Sequence, residues 1–358
     1  MHVRLLAASS VEWLRTIEEV RADVYYLPGY VEACAEREGG EGYLFVAREA
    51  DKIWLQPLII RAIPGHEPML DAVSPYGYSG PLARAPAGEE VIWATRATGR
   101  FKECLAERGV ISAFIRLHPI LNRNLAAISP DEALTLRGDT VIVDLERSDE
   151  QLWGDIRGNH RRHINRLQRW GFAVSMSSDP GILDLFTDMY HQTMSRVGAS
   201  DYHLKLADDL HELASTYKAN LYVCTVRREQ EIACIGLITE MDGLVEYHLS
   251  GTAEDHVRWC PSKLLLYHAI CWAKNRGNRF FHLGGGVACE DDSLLHFKKG
   301  FSSQLLPFHS WDMVIDDTRY EALTAMAGAP NSAGGYFPAY RQLTCERLDA
   351  ADFAPQPA

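Results

Sequence analysis

Apolar residues open this chain at helical spacing, with Leu14, Ile17 and Val20 on one face and Ser10 placed to cap the first turn. A second short helix is predicted over 30–38. Two β runs over 43–48 and 53–60 flank Glu49-Ala50-Asp51-Lys52 and read as a hairpin, followed by the loop Ser74-Pro75-Tyr76-Gly77-Tyr78-Ser79-Gly80-Pro81. A helix over 89–107 and a strand over 112–117 complete this half.

The second half repeats the order loosely. Helices are predicted at 149–170, 180–197 and 203–217, strands at 221–227, 232–239 and 244–250, then a helix over 262–276. Arg227-Arg228-Glu229-Gln230-Glu231 is a charged hairpin turn. Pro261 suits the start of the 262–276 helix and Gly277 its end, with Leu265, Ala269 and Trp272 on one face. A strand over 279–283 then runs into Gly284-Gly285-Gly286. A strand hairpin, a following helix and another strand beside it occur twice, which predicts an α/β (α+β) chain of two mixed domains. The tail carries a helix over 319–326 and a loop with Gly334-Gly335-Tyr336-Phe337-Pro338, and its Ala/Pro-rich end is expected to fray.

Charge changes the picture more than composition does. The chain has 358 residues, of which 47% are hydrophobic and 23% charged, an ordinary globular balance. Its 36 Lys+Arg against 48 Asp+Glu give a net charge of −12, which excludes a generally basic nucleic-acid binder. There is no apolar run long enough for a membrane span, and the N-terminal run is too short for an export signal, so a cytoplasmic protein is expected. Eight cysteines include no C-x-x-C pair, and most lie in apolar runs, as in Ala269-Ile270-Cys271-Trp272. Buried free thiols are expected, without a zinc site.

Against that acidic background, residues 157–169 hold Arg157, Arg161, Arg162, Arg166 and Arg169, with His160 and His163. Helical spacing puts Arg162, Arg166 and Arg169 on one side and Arg157 and Arg161 on another, while Trp153, Ile156, Ile164 and Leu167 supply core contacts. The run is read either as a solvated helix face or as a cationic surface for phosphates. Asp291 to Phe301 reads as a short helix capped by an acidic residue and stopped by Gly300, with Lys298 and Lys299 in its last turn. A lysine there is either a partner for the helix dipole or, facing a cleft, a fixed charge for an acyl-transfer oxyanion. The triple glycine is not G-x-G-x-x-G, G-x-S-x-G is absent, and the fourteen histidines form no H-E-x-x-H pair.

Three stretches occur in an order that resembles the Fem-type aminoacyl transferases. They are Leu152-Trp153 through Arg161-Arg162-His163-Ile164 to Trp170-Gly171-Phe172, then Pro261-Ser262 to Trp272-Ala273-Lys274, then Phe281-His282-Leu283-Gly284-Gly285-Gly286 with Phe297-Lys298-Lys299-Gly300-Phe301. The resemblance covers about residues 150–315 strongly and 1–147 more weakly. It implies two tandem acetyltransferase-like (GNAT) domains, each a mixed β-sheet flanked by helices. The first would span 1–147 and be completed by the tail 318–358; the second would span 148–317 and carry the transfer site.

The same resemblance implies an activity: transfer of an amino acid from aminoacyl-tRNA to an amine of a cell-wall precursor or peptide-like metabolite, forming an amide. Phe297-Lys298 matches the family's Phe-Lys pair, whose Lys lies near the reacting ester. Thr193-Met194-Ser195-Arg196 resembles its T-x-x-R stretch, which places Arg196 on the acceptor side with Tyr247, Tyr76 and Tyr78. Leu249 stands where a second acceptor Tyr would be. Arg157, Arg161, Arg162, Arg166 and Arg169 become the tRNA contacts, and His248 beside Tyr247 is a candidate proton acceptor. Neither a metal nor a bound cofactor is required, and a monomer is expected. Acyl-CoA relatives bind pyrophosphate with [QR]-x-x-G-x-[GA]; here Arg258-Trp259-Cys260-Pro261-Ser262-Lys263 has Pro261 and Lys263 at both small positions, and Pro261 lacks an N–H donor. An acyl-CoA-dependent N-acyltransferase and a non-catalytic peptide- or RNA-binding protein are the alternatives.

Overall fold

The computed structural model describes residues 1–125, 134–199, 220–287, 291–328 and 335–342. The described residues divide into two compact units: Met1–Arg137 with residues 307–342, and Gly138–Leu306. In chain order the first half contributes β1 (His2–Ala7), α1 (Val11–Glu18), α2 (Pro28–Glu38), β2 (Gly40–Glu49), β3 (Lys52–Ala62), β4 (Leu70–Val73), β5 (Leu82–Arg84), α3 (Glu90–Glu107) and β6 (Val110–Arg116). After β7 (Leu134–Asp144) come α4 (Asp149–Asp155), α5 (Gly158–Arg169), β8 (Phe172–Ser177), α6 (Leu183–Val197), β9 (Leu221–Arg228), β10 (Glu231–Met241) and β11 (Leu244–Thr252). The chain continues with α7 (Ser262–Asn275), β12 (Phe280–Gly284), α8 (Ser293–Lys298), β13 (Leu305–Val314) and α9 (Asp317–Ala327).

Within the first unit the strands lie in the order β1-β2-β3-β4-β6-β13, with β5 also on β3. All these pairs are antiparallel except β4 with β6. The second unit orders its strands β7-β12-β11-β10-β9-β8, again with one parallel pair, β11 with β12. A parallel pair requires a crossover, and a helix supplies it each time: α3 before β6 and α7 before β12. The repeated hairpin, helix and strand predicted from the sequence are therefore present in both units.

Aromatic packing fills the first core. Phe45, Trp54, Phe101 and Trp311 are fully buried, with the Trp54 and Phe101 rings 5.4 Å apart, and the buried Trp93 indole donates to the Ile53 carbonyl at 3.0 Å. The last described residues close the same unit. Asp71 is buried and accepts from Arg61 at 2.8 Å, Arg341 at 3.0 Å and the Tyr340 hydroxyl at 3.2 Å. The second core is aliphatic: Ile164 and Leu167 of α5 and Leu265, Ala269 and Ala273 of α7 pack with Val226, Ile238, Val245 and Phe281 of the sheet.

Several expectations need correction. The 149–170 helix is two helices, because Ile156 and Arg157 are extended and the Arg157 N–H donates to the Gly300 carbonyl at 2.8 Å instead of continuing the helix. In α1 the buried stripe is Trp13, Thr16 and Ile17, and Leu14 is 47% exposed. Ser10 occupies the cap position without a side-chain cap hydrogen bond. The strands β1, β4, β5, β7, β8 and β13 were not foreseen. A helix over 203–217 lies outside the described residues.

Gly251 of β11 sits against the α6 backbone, where an added Cβ would lie 2.8 Å from the Met189 carbonyl carbon. Backbone cannot swing aside as a side chain can, so Gly251→Ala should destabilise the protein by about 1–3 kcal/mol in urea unfolding. Gly99, within α3, has open space within 4 Å of where a methyl group would sit, and Gly99→Ala should stabilise by up to about 1 kcal/mol. Equal stabilities for the two variants would contradict this packing.

Candidate functional site

Helix α8 places the predicted lysine. Asp292 caps it by accepting from the Leu295 N–H at 2.8 Å, and Leu295 anchors its inner face in the core. Lys298 follows Leu295 by three positions and so shares that face. It is only 8% exposed, and its ammonium donates to the Gly285 carbonyl at 2.6 Å, just past β12. Lys299 turns outward and pairs with Asp291 at 3.0 Å. Of the two readings of these lysines, the helix-dipole partner describes Lys299, whereas Lys298 is an inward charge held on a loop carbonyl.

Phe297 packs with His160 and Phe301, all three rings lying 4.9–5.5 Å apart. Gly300 is needed here, since a Cβ would fall 2.3–2.7 Å from the His160 ring. The buried His160 donates from Nε2 to the Phe297 carbonyl at 3.1 Å, which leaves Nδ1 as a buried acceptor with no hydrogen-bond partner among the described residues. Burial, followed by the nearby Lys263 charge, holds His160 down to about 4. Phe297 thereby joins α8 to the start of α5.

The arginines of α5 divide by role. Arg157, at the N-terminal cap position, bonds His296. Arg161 is half-buried. Arg166 is half-buried too and stacks its guanidinium on Trp170, 5.0 Å from the ring centre. Arg162 and Arg169 are exposed, the latter donating to the Asn165 carbonyl at 3.2 Å. The expected face of Arg162, Arg166 and Arg169 is thus present, but its middle member is partly committed to an indole. Buried Lys263, in the first turn of α7, donates to Nδ1 of His163 at 2.8 Å. Burial first, then the Arg166 and Arg157 charges, lowers the Lys263 ammonium, and burial with Lys263 keeps His163 low.

Strand β11 carries the acceptor-side candidates of this unit. Thr193 of α6 accepts from the Thr252 N–H at 2.9 Å, and Arg196, exposed one turn later, donates to the Thr252 carbonyl at 3.4 Å. Tyr247 pairs with Ile238, while the next register pair is Leu249 with Leu237, so His248 is the extra residue of a β-bulge. The Tyr247 hydroxyl bonds Ser250, and burial raises its phenol above the usual range. Tyr76 and Tyr78 belong to the first unit. The Tyr76 carbonyl accepts from the Tyr30 hydroxyl at 2.9 Å, and the Tyr78 ring lies 5.2 Å from Phe308.

Sequence reading missed two buried acid–histidine pairs. In the second unit Glu246 and His282 face each other in register and bond at 2.7 Å; they are the last pair joining β11 to β12 before the strands part. In the first unit His118 Nδ1 accepts from the Ile120 and Leu121 N–H groups, which directs Nε2–H to Asp23 at 3.2 Å. The available signal was a charged residue inside an apolar strand, as in Leu244-Val245-Glu246-Tyr247.

Comparison with known proteins bears on this geometry. Residues 154–299 match the family model described as an acetyltransferase (GNAT) domain. No match is found among curated proteins. Among solved structures, FemX is 13% identical with a TM-score of 0.69, over 90% of this chain and 99% of that one. A C-terminal DUF2156 domain from Agrobacterium fabrum is 14% identical with a TM-score of 0.56, over 91% and 99%. L-PGS from Bacillus licheniformis is 12% identical with a TM-score of 0.53, over 87% and 93%. The fold is of GNAT type, with a mixed sheet and flanking helices in each unit. More particularly, it is the Fem-like form of that fold. No helix among the described residues is long and apolar enough to cross a membrane.

His160 gives a pH test of this arrangement. Its ordinary value is 6.5 and its folded value about 4, so unfolding takes up a proton between those limits. Stability should be fully present above pH 6.5 and fall as pH drops toward 4, by up to roughly 3 kcal/mol from this group. His160→Gln, which removes the titration, should flatten that part of the curve in urea melts. Superimposable profiles for the two proteins between pH 4 and 6.5 would contradict the assignment.

Proposed function

We propose that this protein is an aminoacyltransferase that forms an amide by moving an amino acid from aminoacyl-tRNA to an amine of a cell-wall precursor or peptide-like acceptor. The observation that carries the reading is Lys298, a buried cation fixed on the Gly285 carbonyl at the end of β12. The attacking amine forms a C–N bond to the ester carbonyl, whose oxygen becomes an oxyanion. Collapse breaks the C–O bond, releases the ribose hydroxyl, and returns the proton shed by the amine to solvent or to that oxygen. Placement and oxyanion stabilisation dominate such an aminolysis, and a fixed ammonium supplies the second without a proton transfer.

Electrostatics favour an RNA donor. Residues 156–178 and 256–289 contain no Asp or Glu, on a chain of net charge −12, and between them they place Arg162, Arg169, Arg258 and Lys263 in one unit. Lys263 also fills, with its buried side chain on His163, a position where a pyrophosphate-binding loop needs a small residue. Arg196 and Tyr247, both tied to β11, are the acceptor-side candidates in this unit, and Tyr76 and Tyr78 those of the first. The GNAT-domain match keeps acyl-CoA as the second reading. Offering labelled aminoacyl-tRNA and labelled acyl-CoA separately, with a panel of amines, distinguishes them by which label moves.

Lys298→Ala should lower kcat by roughly 10²–10³ with a much smaller change in acceptor KM, whereas Lys299→Ala should stay near the parent. Near-full turnover by Lys298→Ala would remove it from the reaction. Reversing charge at the two exposed arginines, Arg162→Glu with Arg169→Glu, should weaken aminoacyl-tRNA use and flatten its salt dependence through lost counterion release. Unaltered donor use at both low and moderate salt would leave α5 as a solvated face.

A further inference from the structure

The mechanism leaves unused an aromatic pair at the far end of α5. Trp170, directly after the helix, and Trp259, in the turn before α7, meet edge to face with ring centres 4.9 Å apart. Each carries a guanidinium: Arg166 lies 5.0 Å from the Trp170 ring centre and Arg258 lies 4.5 Å from that of Trp259. Trp170 is 43% exposed and Arg258 is exposed, while Trp259 is half-buried. Indoles are the most costly side chains to leave in water, and this pair is open in a protein that buries Trp13, Trp54, Trp93 and Trp311 completely.

Its position relative to Lys298 is fixed by α5. The N-terminal end of the helix is bound to α8 and the turn that follows it, through His160 with Phe297 and Arg157 with Gly300. Twelve residues later the helix ends beside the aromatic pair, about 18 Å away at 1.5 Å per residue. His163 with Lys263, and the exposed Arg162, lie between. Negative groups near the pair are Glu254 and Asp255, exposed in the same short helical turn as Trp259, and Glu231, which bonds His256; α5 itself contributes none.

We infer that Trp170 and Trp259 form a stacking site for an unpaired nucleobase of the RNA donor, a few nucleotides back from the reacting ester. This rests on the aminoacyl-tRNA reading. A cationic track that ends in aromatic rings is the combination that binds single-stranded nucleic acid: the charges follow the phosphates and the rings take the bases. A guanidinium already stacked on an indole can give up that face to a base and turn to the adjoining phosphate, so the pair loses no contact. At 3.4 Å per stacked nucleotide, about 18 Å corresponds to roughly five nucleotides. The site therefore distinguishes a donor with a single-stranded end of that length from one cut to its last nucleotide.

The experiment compares parent, Trp170→Ala and Trp170→Phe with two donors carrying the same aminoacyl ester, one a single nucleotide and the other a six-nucleotide single strand. Binding of an uncharged six-nucleotide strand and of an abasic strand with the same number of phosphates is measured alongside. The parent should bind the base-bearing strand better than the abasic one. Trp170→Ala should use and bind the six-nucleotide strand roughly 5- to 150-fold less well, with an unchanged salt slope and unchanged use of the single-nucleotide donor, and Trp170→Phe should recover most of the loss. Equal use of the long donor by parent and Trp170→Ala, or equal binding of the two strands, overturns the stacking site while leaving aminoacyl transfer standing. A parent that transfers only from acyl-CoA and binds neither strand overturns both.

Discussion

Three residue pairs join β11 to β12, from Leu244 with Phe280 to Glu246 with His282, and the second unit is organised around where that pairing stops. Among the described residues, a parallel contact this short leaves the outer part of β11 with a strand neighbour on one side only, β10, and there the bulge at His248 redirects the strand. Tyr247 projects from that bulge and Thr252, farther along, receives α6. On the other strand the chain continues past the break to Gly285, whose carbonyl fixes Lys298. A buried carboxylate–imidazole pair holds the last rung at 2.7 Å. Both side chains are buried, so losing either would remove a charge-assisted contact from the interior, and the fork is set by electrostatics as well as by backbone.

Helix α5 does two jobs with one set of residues. Its buried face, His160, Ile164 and Leu167, belongs to the core, and its remaining faces carry arginine. The two are coupled through partial burial: Lys263 reaches His163 and Arg166 reaches Trp170, so the cationic surface is held in place by the same packing that stabilises the unit. Burial, together with the Arg166 and Arg157 charges, lowers Lys263.

Legibility from sequence followed locality. The β9–β10 hairpin, α7 with Pro261 before it and Gly277 after it, and the capped α8 depend on neighbours a few residues apart, and sequence reading located each to within a few residues. Strand β13 escaped because it interrupts its apolar positions with Pro307, His309 and Ser310, and β1 because it is short, whereas β8 alternates Phe172, Val174 and Met176 with Ala and Ser and was legible but passed over. The break in the 149–170 helix is imposed by Gly300, more than a hundred residues away. Spacing placed Lys298 and Lys299 together at a helix end, but their opposite fates follow from which one shares a face with Leu295. The Glu246–His282 pair depends on a parallel register that no short motif encodes, and Trp170 with Trp259 became a pair only through tertiary packing.

The ties between Asp71 and the residues around Tyr340 bear on the order in which this polypeptide matures on the ribosome. The first unit begins at the first residue, yet β6 needs β13 as its neighbour and Asp71 needs Arg341 and Tyr340. Every residue of the second unit's sheet has been translated before those partners emerge. Domains fold as units during synthesis. The inserted unit can therefore reach its native state while the surrounding one still awaits its final strand and tail, and a nascent chain whose residue 306 has just emerged from the ribosome would hold a finished core behind an unfinished one.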